Sequence, residues 1–437
     1  MSSNGFVDVV TRPAGSHSLS VPGLGTFAPG AGPAIGADGT VVLGSLEGRV
    51  TALHADGTPF WNRQLPSETH HQILSSPAFG RDQSVYVVGA FNAVLRDHRS
   101  GAEPVPIHFA SLYKFTAGGG APVGNSTAFP EVRNGPVAGM YGPKFTGPPS
   151  AWQFGADEAV LVPAIYPNIG GEELHILAFS PAGGLMADVT VAEWNGGDVS
   201  GGWGALPFDF PHGALGPPAH AALPPLGIFV DPQAGTPIIS VTNRFRNEIV
   251  HYRFCVGASC SPHPGFVELF RTQHAPYVLW SAPTTLPLDH QAVAGTDRGI
   301  VFSRLNSPAA PIAGPRAYAA PTVATDGRAV VVTIDKSVIG VQNHLMVSNL
   351  TIGGASAVQA AASRTHVYVS ATDGFYTLDA TAQTEVVKFP WVSGGSSPPA
   401  IGPDGRVYTM TSNILLIFPP PLRVRREGFT DVVERVG

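Results

Sequence analysis

Charge and sulfur are both scarce in this chain. Lys, Arg, Asp and Glu make up 13% of 437 residues, and the formal net charge of −6 has no long block of one sign behind it. An electrostatic footprint for nucleic acid or an anionic membrane is therefore missing, and the short basic run Arg423, Arg425, Arg426 reads as a solvated strand end. No apolar run approaches the roughly 20 residues that span a bilayer. The opening MSSNGFVDVVTRPAG has neither the charged nor the apolar region of an export signal. The expectation is a chain that does not span a membrane and carries no signal peptide. Its two cysteines, Cys255 and Cys260, cannot hold a metal without two further ligands. The Gly-containing loop between them, FCVGASCSPHPG, can bring the pair within bridging distance. A disulfide is the expectation and a pair of free thiols the alternative; a bridge would imply an oxidising, extracytoplasmic compartment.

What is abundant is turn chemistry. With 52 Gly and 42 Pro in the chain, many short strands joined by tight turns are expected, and few helices. The segment PAIGADGTVVLGSLEGRVTALHADGTPFW (Pro33 to Trp61) returns near the end as SPPAIGPDGRVYTMTSNILLIF (Ser397 to Phe418), with weaker copies between. Each copy is an extended run, an Asp-Gly turn, an alternating strand, a second turn and another strand. One such sheet cannot bury both faces alone, and copies of it stack radially into a β-propeller.

Alignment on the residue that opens the innermost strand gives Pro33, Pro77, Pro149, Pro218, Pro283, Pro321, Gln359 and Pro399. The expectation is an all-β chain forming one propeller domain over residues 1–437, with eight blades and seven as the alternative. The anchors from Pro77 to Pro283 lie 65 to 72 residues apart, against about 40 to 45 for a four-stranded blade. The middle units should therefore carry insertions, placed at Pro104 to Lys144, Ala187 to His212 and Cys255 to His274. Asp38-Gly39, Asp326-Gly327, Asp373-Gly374 and Asp404-Gly405 read as type I′ hairpin turns, because the clustered carboxylates that calcium requires are absent around them. Trp61 and Trp391 each close a unit and should pack between blades. GFVDVV (Gly5 to Val10) echoes GFTDVV (Gly428 to Val433). The N-terminal copy is expected to supply the last blade's outer strand; pairing with another molecule is the alternative.

The repeat SPAIG-x-DG-x-VYVGS-x-DG-x-LYALDADG-x-x-x-W is that of the PQQ-like β-propellers. Units one and eight resemble it closely, and Pro321 to Val341 and Gln359 to Asp379 moderately. That family includes the quinoprotein alcohol dehydrogenases and the propeller lipoprotein of the BAM complex. The resemblance covers about half the chain and implies a fold more than an activity. The dehydrogenases hold the quinone against two adjacent cysteines and coordinate calcium with Glu, Asn and Asp. Cys255 and Cys260 are not adjacent, so no PQQ site is expected and no cofactor is assigned.

In such propellers the segment leading into each innermost strand lies at one mouth of the channel, where ligands gather. Those segments hold His70 and His71, Tyr141 and Lys144, His212 and His220, His274 and Tyr277, and Arg316 and Tyr318. Three readings stay open. Histidines from different blades could share a divalent metal. His71, His274, Tyr277 and Arg316 could perform β-elimination on a uronate, Arg316 neutralising the carboxylate while His and Tyr move the proton. The third reading is an ordinary rim around a passive binding face. No G-x-S-x-G elbow, P-loop or H-E-x-x-H is present. Asn125-Ser126-Thr127 and Asn349-Leu350-Thr351 fit glycosylation acceptors. The function expected is a binding or scaffold propeller presenting a looped face to a protein or glycan, with a carbohydrate-active enzyme as the alternative.

Overall fold

The structure is a computed structural model that describes residues 7–8, 17–19, 25–28, 30–66, 71–95, 105–119, 144–145, 147–154, 157–168, 171–195, 227–230, 237–243, 246–255, 265–279, 281, 283–286, 291–304, 307–324, 326–356, 358–390, 397–411, 413–420, 422–427 and 430–435. Among these every regular element is a strand, and eight sheets form the blades of a ring.

The chain opens with β1 (Val7–Asp8) and β2 (His17–Leu19). Blade 1 is β3 (Ala34–Ile35), β4 (Val41–Gly44), β5 (Arg49–Leu53) and β6 (Pro59–Gln64). Blade 2 has a two-piece inner strand, β7 (Gln72–Ile73) and β8 (Ala78–Phe79), then β9 (Val85–Leu95) and β10 (Val105–Phe115). Blade 3 likewise has β11 (Lys144–Phe145) and β12 (Ser150–Phe154) on β13 (Asp157–Asn168), followed by β14 (Gly171–Phe179) and β15 (Leu185–Asn195). Blade 4 is β16 (Gly227–Val230), β17 (Pro237–Asn243), β18 (Glu248–Cys255) and β19 (Gly265–Gln273). Blade 5 is β20 (Thr284–Leu286), β21 (Gln291–Thr296), β22 (Gly299–Arg304) and β23 (Ser307–Ala313). Blade 6 is β24 (Thr322–Val323), β25 (Ala329–Val332), β26 (Ser337–Gln342) and β27 (Leu345–Thr351). Blade 7 is β28 (Ala361–Ala362), β29 (His366–Ala371), β30 (Gly374–Asp379) and β31 (Glu385–Pro390). Blade 8 is β32 (Ala400–Ile401), β33 (Val407–Met410) and β34 (Leu415–Phe418). After it come β35 (Leu422–Glu427) and β36 (Thr430–Arg435).

Seven anchors fall within two residues of an innermost strand. Pro218 does not, because β16 begins at Gly227, and Pro218 lies outside the described residues. The placing of the insertions is corrected as well. Pro104 to Lys144 contains β10, Ala187 to His212 contains most of β15, and Cys255 to His274 contains β19. Part of the extra length in blades 2 and 3 is longer strand: β9 and β10 run 11 residues and β13 runs 12, where β4 runs four.

The ring closes through β2, which pairs with β34 (Ser18 with Leu416) and completes blade 8. The strand GFVDVV does not do this. Its described residues Val7 and Asp8 pair with Arg425 and Val424 of β35, and β36, from the GFTDVV copy, pairs along the other edge of β35. The termini are thus joined twice, since β1 and β2 run antiparallel along β35 and β34 in nearly one register.

The Asp-Gly turns also differ from the expectation. A type I′ turn needs positive φ at both central residues, but at these turns only Gly39, Gly327 and Gly405 have it, at +86°, +80° and +78°. Each glycine N–H donates to the carbonyl three residues back, Gly39 to Gly36 at 2.9 Å. This is a type I turn ending in a left-handed glycine. The Asp carboxylate accepts the N–H two residues on, Asp38 from Thr40 at 2.9 Å and Asp404 from Arg406 at 3.1 Å. Asp373-Gly374 sits elsewhere in its blade, at the turn between β29 and β30.

The core lies in the seams between blades. Between blades 3 and 4, Leu174, Ile176 and Val191 meet Ile239, Val250 and Tyr252. Trp61 packs across the seam of blades 1 and 2 with Val85, Tyr113 and Phe115, as expected; Trp391 lies outside the described residues.

Candidate functional site

Antiparallel order puts two features of every blade at one face of the ring: the segment leading into the innermost strand, and the turn between the second and third strands. On this lead-in face three blades share one device. In blade 1 the Thr26 N–H donates to Glu47 Oε1 and Oε2 at 3.0 and 2.9 Å. In blade 5 the Val278 N–H donates to Asp297 Oδ1 at 2.8 Å, and in blade 6 the Arg316 N–H donates to Asp335 Oδ2 at 2.7 Å. Main-chain bonds run back the other way, from Leu46 to Thr26, Asp297 to Val278 and Ile334 to Arg316. A carboxylate at the turn therefore clamps the segment entering its own blade.

This device collects four of the candidate residues into one sector over blades 4 to 6. The Tyr277 N–H donates to the His274 carbonyl at 2.9 Å, and Tyr277 is half-buried against Ile249, Leu279 and Val301. Arg316 forms a forked pair with Asp335, Nη2 to Oδ1 at 2.7 Å and Nε to Oδ1 at 3.2 Å. Those hydrogen bonds hold the Asp335 carboxyl below its ordinary value. Burial pushes the Tyr318 hydroxyl up, against the opposing pull of Arg316.

The histidines are enclosed. His274 is buried, its backbone N–H donating to the Asn247 carbonyl at 2.8 Å, and its ring Nε2 has no partner. His71 lies on the far side of the ring, buried in the seam of blades 1 and 2 with Nδ1 2.7 Å from the Tyr113 hydroxyl. Its carbonyl crowds Gly48, where a Cβ would come within 2.3 Å and φ is +73°. Burial pushes both imidazoles down to about 4. Both are neutral near pH 7 and shielded from solvent. Lys144 is placed by its backbone, paired with Ile165 in blade 3. His70, Tyr141, His212, His220 and Cys260 lie outside the described residues, and Cys255 closes β18.

Chemically, this sector is a rigid surface. Arg316, the cation meant to meet a uronate, already has a carboxylate partner, and the two described histidines sit in different seams. Among the described residues no three His, Cys, Asp or Glu side chains are grouped to hold a metal. The clamping acids Glu47, Asp297 and Asp335 were missed in the sequence, although a column of acids was visible in the second turn of the repeat, in SLEG, TDRG and IDKS.

The fold is that of an eight-bladed, all-β propeller. No family model matches the sequence, and no curated protein matches it. Solved structures do match. BamB from Moraxella catarrhalis is 13% identical, with a TM-score of 0.56 over 94% of this chain and 100% of that one. Sqt1 from Saccharomyces cerevisiae is 10% identical, with a TM-score of 0.57 over 96% and 100%. The computationally designed Ika8 protein is 13% identical, with a TM-score of 0.54 over 91% and 99%. At these identities the likeness is one of fold.

Proposed function

We propose that this propeller is a binding scaffold that presents its lead-in face to a partner protein, with the main contact over blades 2 and 3. One observation carries the reading. The second and third strands of these two blades run 9 to 12 residues, against 4 to 8 in the other blades, and their last described pairs, Leu95 with Val105 and Asn168 with Gly171, are on the lead-in face. Paired strands extended beyond a rigid ring offer a preformed surface, which binds with little loss of conformational freedom. The groups suited to acid–base work are buried or already paired, which favours binding over chemistry.

Ala90 pairs with Ala110 across β9 and β10, so replacing residues 91–109 by Asn-Gly shortens the hairpin without touching the core below it. The variant should keep its circular dichroism and melting temperature and lose a protein that co-purifies with the intact chain. If shortening leaves that partner bound, the placement on blade 2 is wrong. If the intact protein binds immobilised glycans instead, the partner class is wrong. Turnover of uronate polysaccharides, seen as ultraviolet absorbance of an unsaturated product and lost in His71→Ala or His274→Ala, would establish the enzyme reading.

Assignment to the PQQ-like repeat class belongs to the same proposal and rests on the motifs of units one and eight. So does a bridge between Cys255 and Cys260 and, with it, an oxidising extracytoplasmic location; no free cysteine occurs among the described residues. Thiol titration of unreduced, denatured protein should find none, and two free thiols would remove the argument for that compartment.

A further inference from the structure

The seam between blades 4 and 5 is unlike the others. Its apolar cluster consists of Ile249, Leu279, Ala292, Ala294 and Val301, with no fully buried aromatic. The seam of blades 7 and 8 is equally small but stacks Phe375 on Phe418 at 4.3 Å. In place of hydrocarbon, the seam of blades 4 and 5 holds buried Ser240, Thr242, His251, Thr272, His274, Ser281 and Ser303.

Its hydrogen bonds have a direction. The Ser303 hydroxyl donates to Thr272 Oγ1 at 2.7 Å, so it accepts from His251 Nε2 at 2.7 Å. That leaves His251 Nδ1 to accept from the Ser240 hydroxyl at 2.8 Å. The chain of donors is complete only with His251 neutral; a second proton on the ring would leave the Ser240 hydroxyl proton without its acceptor. His274, close enough to His251 to interact with it electrostatically, has its Nε2 already unpartnered.

Among the described residues the seam supplies no counter-charge. The strands facing the two rings offer Ser240 and Thr242 from β17, Phe270 and Thr272 from β19, Ala292 and Ala294 from β21, and Val301 and Ser303 from β22. The segment leading into blade 5 adds Tyr277 and Ser281. Asp297 is committed to the Val278 N–H, and Glu248 pairs with Arg271 at 3.2 Å on the other side of the blade 4 sheet. Arg253 and Arg246 are exposed. Burial pushes His251 down to about 3 and His274 to about 4, the charge of His274 adding to the first shift.

We propose that the joint between blades 4 and 5 is where the ring opens on acidification, ahead of the terminal closure at blade 8. Propeller rings are commonly thought of as weakest where their ends meet, but here the ends are joined by β2 on β34 and again by β1 on β35, while the polar joint depends on two neutral imidazoles.

Hydrogen exchange on the full chain, at about pH 7 and about pH 5 and corrected for intrinsic rates, tests this. Protection of β17, β18 and β21 should fall at least about tenfold more than that of β33 and β34. His274→Leu should move the onset of that loss to lower pH. Should His274→Leu fail to fold, Ser303→Ala, which removes a hydroxyl that crosses the joint, should move the onset to higher pH. Loss of protection first in β33 and β34, or evenly around the ring, overturns the proposal. An unchanged onset in a folded variant overturns it equally.

Discussion

Consider alanine at Gly119, which follows β10 in blade 2. Gly119 has φ of +70° and closes a turn in which its N–H donates to the Thr116 carbonyl at 2.9 Å. A Cβ there would lie 2.2 Å from Cγ of Trp61. The indole is held in place, with its ring 5.9 Å from Phe115 and its Nε1 donating to the Ala117 carbonyl at 3.2 Å. Gly119→Ala therefore carries about 1 kcal/mol for the left-handed backbone. It adds roughly 1–3 kcal/mol for displacing a packed ring and about 1 kcal/mol for the hydrogen bond. Trp61→Ala alone should cost about 3–5 kcal/mol.

In the double variant the ring is gone and only the backbone penalty of Gly119→Ala is left. The double change should therefore be less damaging than the sum of the two by about 2 kcal/mol or more. Urea unfolding followed by far-ultraviolet circular dichroism on the four proteins measures this directly. Additivity within about 0.5 kcal/mol would show that Gly119 and Trp61 do not press on each other, and the account of the seam between blades 1 and 2 would fall with it.

Three other outcomes follow from the geometry. His71, His251 and His274 are held at about 4, 3 and 4 by burial, below the about 6.5 of a free imidazole, so the unfolded chain takes up protons that the native one refuses. The stability they contribute is complete above about pH 6.5 and is lost as pH falls toward the native values, each by about 1.4 kcal/mol per pH unit; a urea midpoint level from about pH 7 down to about pH 5 would refute this. At Asp335, whose pair with Arg316 is partly exposed, Asn can still accept the Arg316 N–H and Ala cannot. Asp335→Asn should lose under about 1 kcal/mol and Asp335→Ala clearly more, and equal urea midpoints would deny the clamp. Removing everything before Gly25 takes away β1 and β2 and bares the edge of β34. Light scattering should then show self-association, and a monomer of unchanged melting temperature would mean that the ring closes without them.

The repeat was legible because its punctuation is chemically specific. Proline opens the innermost strand in six described blades or their borders, at Pro33, Pro77, Pro149, Pro283, Pro321 and Pro399, where the strand edge faces the channel and a missing N–H leaves nothing unpaired. In unit four the stretch GALGPPAHAALPPLG offers several prolines, and spacing alone chose one too early for β16. Strand length was not legible either. VYVVGAFNAVL in β9 is nearly continuous apolar sequence, which fits a short buried strand followed by a loop as well as one long strand. Of the candidate residues, His274 and Tyr277 lie in the segment leading into blade 5, and Arg316 and Tyr318 in that leading into blade 6. Sequence cannot show that a histidine is enclosed or that an arginine already has its carboxylate, because both depend on what the adjacent blade presents.

The lead-in segments divide the blades into two kinds, and the division bears on function. In blades 1, 5 and 6 a carboxylate at the turn fastens the segment through its N–H. In blades 2 and 3 the segment is fastened by becoming a strand, with Gln72 and Ile73 pairing to Ala90 and Gly89, and Lys144 and Phe145 pairing to Ile165 and Ala164. That second solution requires the second strand to continue past its ordinary end so that the segment has something to pair with. The first residues past that ordinary end are thus part of how the ring is assembled, while in blade 2 the pairs beyond Ala90 and Ala110 are made by β9 and β10 alone and add surface outside it. The binding face proposed above would be specified by main-chain register more than by reactive side chains.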